Sequence, residues 1–359
     1  MAPAKDKAAA KDKDKAADTV AGVVAGESGK VKDVAARVGV TVSFTKYQNG
    51  GGNVLCRDLM GPVHWVYPSG GNKMTINLTV AVASGKGGTG KTTVSVNLAC
   101  AAVAAGYKAA YLDSDVEEPN GHLFLKPRIS RRYPVSVPVP VIDAEKCIAC
   151  SSCGEICQYS AILCINKNVL TFEKMCHGCG GCQLACPVAA IAEKGRKIGI
   201  VEEGVAGEIS FVHGKLNIGE AMSTPLIKAV RSAGPDNSLR IVDAPPGTSC
   251  PVITAIKGVD FVILVTEPTP FGLNDLGLAL DMIKELGIPH AVVVNRSNPY
   301  NSLARDFCRE REVKLLAEIP DDRRIAEAYS RGELAFSAAP AYRGVFEDLL
   351  ISIEKEARR

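Results

Sequence analysis

Ten residues, Ser84-Gly85-Lys86-Gly87-Gly88-Thr89-Gly90-Lys91-Thr92-Thr93, constrain this chain more than any others. They follow a short apolar run, Asn77 to Ser84, of the kind a strand needs when both its faces are buried. They precede an alanine-rich helical stretch from about Thr92 to Ala105. Strand, glycine-rich turn and helix in that order fit the pattern G-x-x-x-x-G-K-[ST]. The glycines let backbone N–H groups turn inward around phosphate oxygens, and the helix offers its positive end. In such a loop Lys91 reaches the β and γ phosphates and the Thr92 hydroxyl ligates Mg²⁺. Gly85, Lys86, Gly87, Gly88, Thr89, Gly90, Lys91, Thr92 and Thr93 are therefore the candidate ATP-binding residues.

A loop of this kind belongs in a parallel sheet, and the rest of the chain supplies one. Apolar runs at Lys108–Leu112, Leu239–Val242, Asp260–Val265, His290–Val294 and Val313–Ala317 read as strands. Helical patterns at Leu273–Leu286, Leu303–Arg311, Arg323–Tyr329 and Tyr342–Ala357 separate or follow them. This alternation predicts an α/β fold: a mostly parallel, doubly wound sheet with helices on both faces. The 359 residues, 47% of them apolar, suffice for a sizeable core. A net charge of +3 and 5% aromatics supply neither a basic stripe nor stacking material, so no nucleic-acid partner is expected. No stretch approaches the roughly 18 apolar residues of a membrane span, and no signal peptide is read at the start. A cytoplasmic protein without a membrane partner is expected.

Thirteen cysteines break the pattern of an ordinary enzyme. Eight stand in two runs, Cys147-x2-Cys150-x2-Cys153-x3-Cys157 and Cys176-x2-Cys179-x2-Cys182-x3-Cys186-Pro187. The runs and the Ala-Ile pairs after them repeat at a constant 29-residue offset, an internal duplication. Each is a bacterial ferredoxin run, in which the fourth cysteine serves the other cluster. So Cys147, Cys150, Cys153 and Cys186 are expected to bind one [4Fe–4S] cluster, and Cys176, Cys179, Cys182 and Cys157 a second. Two Cys₄ zinc sites are the competing reading, and the tightness of the runs favours iron–sulfur. Gln158 replaces the usual proline after the first run, His177 reads as a spacer, and Cys164 as a packing residue.

Lys86-Gly-Gly-Thr-Gly-Lys-Thr92 resembles the deviant Walker A signature of the MinD/ParA/Mrp and nitrogenase iron protein superfamily. The resemblance covers roughly residues 76–350 and implies that Lys86 reaches the nucleotide of a second subunit, hence an ATP-dependent homodimer. Asp113-Ser114-Asp115 resembles switch I, which makes Asp115 the catalytic or magnesium-linked carboxylate. Leu239-Arg-Ile-Val-Asp243-Ala-Pro-Pro-Gly247 resembles Walker B with switch II, which puts Asp243 on Mg²⁺ through water and the Gly247 N–H near the γ-phosphate. Lys86, Lys91, Asp115 and Asp243 are thus the catalytic candidates. Asn295 stands where this family carries an adenine-contacting side chain. Thr266–Gly272 and Ile319–Ile325 also look typical of the group. Cys250 lies near where nitrogenase iron proteins hold a shared cluster, but no second cysteine matches such a site.

The expected domains are a low-complexity tail and appendage (1–73), a P-loop ATPase in two parts (74–142 and 198–359), and an inserted α+β two-cluster ferredoxin module (143–197). The reading placed first is ATP-gated electron transfer to an unidentified redox partner, because the insertion lies between the two switches. The reading placed second is an iron–sulfur scaffold or carrier that loads apo-proteins. It is weakened by the lack of a CxxC after Cys186. The C-terminal helix is expected to pack on the core.

Overall fold

The computed structural model describes residues 74–166, 168–338 and 340–358. The short helix (Lys32–Val38) and strand (Val40–Phe44) expected in the appendage, and Trp65, lie outside the described residues. The chain runs β1 (Leu78–Ala83), α1 (Lys91–Ala104), β2 (Ala109–Asp113), α2 (Gly121–Leu125) and β3 (Arg128–Ile142). It continues through α3 (Ser152–Glu155), β4 (Ile162–Ile165), β5 (Asn168–Thr171), α4 (Gly181–Leu184), β6 (Ile191–Ala206) and β7 (Ile209–Leu216). Then come α5 (Thr224–Ser232), β8 (Leu239–Asp243), α6 (Cys250–Ile256), β9 (Phe261–Thr266), α7 (Pro270–Glu285), β10 (His290–Ser297) and α8 (Leu303–Glu310). The last elements are β11 (Leu315–Pro320), α9 (Arg323–Ser330), α10 (Ala335–Ala338) and α11 (Pro340–Ala357).

Among the described residues, nine strands form one sheet in the order β11-β10-β9-β1-β8-β2-β7-β6-β3, and β4 pairs with β5 alone. From β11 to β7 every pairing is parallel. The middle strands are Val, Ala, Leu and Ile runs, with β2 and β9 buried along their whole length. Ala81 and Ala83 on β1 join a core cluster with α5, α6, α7 and α8, whereas the equally buried Val80 and Val82 do not. Alternate residues of a strand face opposite sides, and α1 covers that other side. The α/β fold with a large, mostly parallel sheet is therefore present. On α11, Phe346, Leu349, Leu350 and Ile353 are buried, and the helix packs on α1.

The pattern of apolar runs missed β3, β6, β7, α5 and α6. β3 carries Pro134, Pro138 and Pro140 between its valines, and proline argues against a ladder strand. It is tolerated because, among the described residues, β3 is the edge of the sheet. β6 contains three glycines and six charged residues, the opposite of a buried run. The two pair antiparallel from Arg128↔Val205 to Ile142↔Ile191, making a long ribbon. Both cysteine runs lie between its distal ends, around a small apolar cluster of Cys153, Ile162 and Ile191. The duplication is visible in the backbone: left-handed φ values recur at Ala149 (54°) and Gly178 (64°), at Ser151 (70°) and Gly180 (73°), and at Ser160 (52°) and Ala189 (50°).

Candidate functional site

The glycine-rich loop joins β1 to α1 at the C-terminal edge of the parallel strands, where ligands sit in open α/β sheets. Gly88 and Gly90 take φ values of 80° and 93°, which a side chain rarely adopts. A Cβ on Gly90 would lie 2.2 Å from Asn295 Nδ2. The loop is tied in from three sides. Ser84 Oγ donates to Lys86 O at 2.6 Å, Asn295 Nδ2 to Thr89 O at 2.9 Å, and the Gly247 N–H to Ser84 O at 3.0 Å. Helix α1 has no side-chain cap and no acidic residue in its first turn, so its N-terminal N–H groups face an open end.

Above it is a cavity of about 400 Å³. Gly87, Gly88, Gly90, Lys91, Thr92 and Thr93 line it, joined by Asp115 and Asn295. Gly85, Lys86, Thr89, Asp243 and Gly247 lie outside its lining, Gly85 pressed against the backbone of Asp275 on α7. The Asn295 amide and the Gly247 N–H, expected at adenine and γ-phosphate, hold the loop here. The lining also includes residues to which the sequence motifs give no role: Glu118, Asn120, Arg296, Asp321, Asp322 and Tyr329. Asp322 caps α9 by accepting from the Arg324 N–H at 2.7 Å and also bonds the Tyr342 hydroxyl. An aspartate just before a helical pattern was the available signal.

Beneath the loop, Asp113 and Asp243 end adjacent strands in register, both fully buried. Asp113 Oδ2 accepts the Gly121 N–H at 2.9 Å, and Asp243 Oδ2 accepts the Tyr111 hydroxyl at 2.8 Å. Asp243 Oδ1 has no hydrogen-bond partner among the described residues. Burial, then the Asp243 charge, pushes Asp113 well above the ordinary carboxylate range. Asp243 is raised by burial, opposed first by the charge of Lys91 and then by the neighbouring Thr92 and Tyr111 hydroxyls. Asp115 is pushed up to about 6, mainly by burial, with Lys91 pulling the other way. A buried carboxylate oxygen left unpaired beside a threonine hydroxyl is the all-oxygen donor set that suits Mg²⁺.

The same register row continues outward. His213 on β7 stands opposite Asp113, Glu202 on β6 opposite His213, and Arg132 on β3 opposite Glu202. Glu202 Oε2 lies 2.6 Å from His213 Nε2 and 3.0 Å from Lys215 Nζ, and Arg132 also pairs with Glu202. Burial alone would raise Glu202, but its bonds to His213 and Lys215 hold it at about 2. Burial lowers His213. A polar row thus crosses five strands from Asp243 to the ribbon. A wider groove of about 650 Å³ beside α5 has its ionic groups spent on one another, Tyr133 and Arg131 on Glu203.

At the far end of the ribbon the cysteines line two cavities. Cys147, Cys150, Cys153 and Cys186 share one, and Cys157, Cys176, Cys179 and Cys182 the other. The fourth thiol of each run lies with the first three of the other. Backbone N–H groups already point at sulfur: Ala190 to Cys186 Sγ at 3.2 Å, Ala161 to Cys157 Sγ at 3.3 Å, Gly178 to Cys176 Sγ at 3.4 Å. Each lining carries four thiols, and among the described residues no three metal-ligating side chains gather around a single-ion position. A cubane, with its thiolates on separate irons, fits such a lining. Cys164 and the exposed Cys250 line neither cavity.

Residues 80–335 match the family model described as the CobQ/CobB/MinD/ParA nucleotide binding domain. An uncharacterized protein of Methanocaldococcus jannaschii is 32% identical over 263 residues, 72% of this chain and 92% of that protein. The iron-sulfur cluster carrier protein of Pyrococcus abyssi is 26% identical over 273 residues, 70% of this chain and 77% of its own. Among solved structures, the septum site-determining protein MinD of Pyrococcus horikoshii, complexed with Mg-ADP, aligns with a TM-score of 0.50. It is 20% identical and covers 78% of this chain and 97% of that one, a likeness of fold.

Proposed function

Because this chain belongs to the CobQ/CobB/MinD/ParA nucleotide-binding family, we propose that it binds and hydrolyses ATP in order to carry iron–sulfur clusters to apo-proteins. The observation that carries this reading is the pair of crossed cysteine quartets on a ribbon whose strands extend the nucleotide-binding sheet. Relatives named iron-sulfur cluster carriers, matching across 70% of the chain, support carriage over relay.

Lys91 and the α1 N-terminus hold the phosphates, and Gly87, Gly88 and Gly90 shape the cradle. Thr92 and Asp243 would hold Mg²⁺, which neutralises the charge developing on the transferred phosphoryl group. Asp115, whose carboxyl burial pushes up to about 6 against the pull of Lys91, is ionised at neutral pH and orients the attacking water. Lys86 completes the signature Lys86-Gly-Gly-Thr-Gly-Lys-Thr92, and a homodimer in which it reaches the nucleotide of the second copy is proposed on that resemblance. Residues 143–197 act as the ferredoxin-like module. Among the described residues no helix is long and apolar enough to cross a membrane.

Electron relay, placed first because the insertion lies between the two switches, becomes the second reading. The two cavities favour it, because helices α3 and α4 of the two runs touch and bring the quartets side by side. The deciding experiment loads the full chain anaerobically and mixes it with an apo-protein that takes a [4Fe–4S] cluster, with and without MgATP. Nucleotide-dependent activation of the acceptor, lost in Asp243→Ala, supports carriage. Clusters that stay on the chain while MgATP shifts their EPR signals would transfer the reading to relay.

A further inference from the structure

The two cysteine cavities are built on one plan but closed differently. At the 29-residue offset, Ile148 and Val188 at the first cavity correspond to His177 and Tyr159 at the second. The Tyr159 and His177 rings are stacked, 3.6 Å between centroids and 6° from parallel. They come from the two different halves, Tyr159 just past Cys157 and His177 between Cys176 and Gly178. Both line the second cavity and both are exposed, Tyr159 at 44%, so the pair stands between the thiols and solvent. The first cavity has two aliphatic side chains there instead. Cys153 is only 8% exposed, whereas its counterpart Cys182 is half-buried. The second quartet is thus covered by an aromatic pair where the first is covered by aliphatic side chains. That cap is two side chains held by one ring contact, which a docking protein can part without moving the backbone.

We propose that Tyr159 and His177 form a gate, and that the quartet beneath it, Cys157, Cys176, Cys179 and Cys182, is the site that hands on its cluster, while the other quartet retains its own. This rests on the carrier reading. Exchange there trades the Fe–Sγ bonds to these four cysteines for bonds to acceptor thiolates. The acceptor's thiol protons pass to the vacated sulfurs, and no electron moves. Tyr159 and His177 act as positioning residues: they decide access and ligate nothing.

The test is iron release from the loaded full chain to a ferrous chelator under dithionite, which reads access to each quartet without any transfer assay. Two phases of equal amplitude are expected. Tyr159→Val, which installs the residue of the other half, should speed one phase about two- to tenfold, the worth of one aromatic stack, and leave the other unchanged. Tyr159→Phe keeps the stack and should release iron like the parent chain. The gate is overturned if Tyr159→Val releases iron as the parent does, if both phases accelerate together, or if Phe behaves as Val does. A parent chain that binds no iron on loading removes the carrier reading itself. Normal loading with an indifferent Tyr159 removes the gate alone.

Discussion

Replacing Tyr111 by phenylalanine removes a single oxygen from the centre of the molecule. The ring is fully buried on β2 and stacks on Phe211 at 5.8 Å, and phenylalanine keeps both properties. What is lost is the 2.8 Å hydrogen bond to Asp243 Oδ2, on a carboxylate whose Oδ1 is already without a partner. A hydrogen bond to an ionised group contributes about 1.5–3 kcal/mol net, and a buried acceptor left unpaired sits at the upper part of that range. Taking about 2 kcal/mol, and about 2–4 °C per kcal/mol for a folded unit of this size, the nucleotide-free Tyr111→Phe protein should melt roughly 4–8 °C below the parent. Asp243 also loses the donor that fixes its orientation toward the proposed cation. Titration calorimetry should therefore show MgATP binding weakened while ATP in EDTA binds as before. Scanning calorimetry and this pair of titrations together check the reasoning. A variant that melts within about 1 °C of the parent and binds MgATP normally would refute it, since the hydroxyl would then be holding nothing.

Asp115 gives a pH signature. Its folded pKa of about 6 lies above the ordinary carboxylate value, so its contribution to stability is present in acid and lost as pH rises through about 6. The melting temperature of the nucleotide-free chain should fall across that interval, and Asp115→Asn should flatten that part of the curve. Cys157→Ser tests the crossing: iron content should drop from about eight to about four per chain, and the surviving EPR signal should be one that Cys179→Ser leaves in place but Cys150→Ser removes. Asn295→Ala removes the strut under Thr89, so nucleotide affinity should fall about three- to tenfold, with a melting point changed far less, as read by calorimetry. Phe346→Ala, at a position 1% exposed on α11, should cost about 3–5 kcal/mol in denaturant unfolding.

The sheet was legible where its strands are apolar runs closed by glycine or aspartate, as at β1 and β8, because burial on both faces leaves a composition that needs no partner to be recognised. The cysteine quartets were legible because their ligands are close in sequence. The ribbon and the polar row were not, since both are properties of register. Glu202 and Glu203 look like one solvated pair in the sequence. Pairing with β7 puts Glu202 against His213 in the interior, while Glu203 turns outward to Arg131 and Tyr133. His213 likewise carries no local mark, and only the alignment of β7 on β2 sets it opposite Asp113. Asn295 and Gly247 were found by position, but what they touch here, the loop itself, depends on a fold-wide approach no motif encodes.

The prolines of β3 bear on how the protein behaves in company. A sheet that ends on a 15-residue strand offers a long template on which another molecule's edge can add. Pro134, Pro138 and Pro140 have no N–H to offer such a visitor and stud the strand with rings that hold it off. The ribbon can therefore project its cysteine-bearing tip into a crowded solution without zipping onto its neighbours. Replacing these prolines with valine would leave the fold intact and make the chain prone to edge-to-edge association, a change light scattering at rising concentration would register.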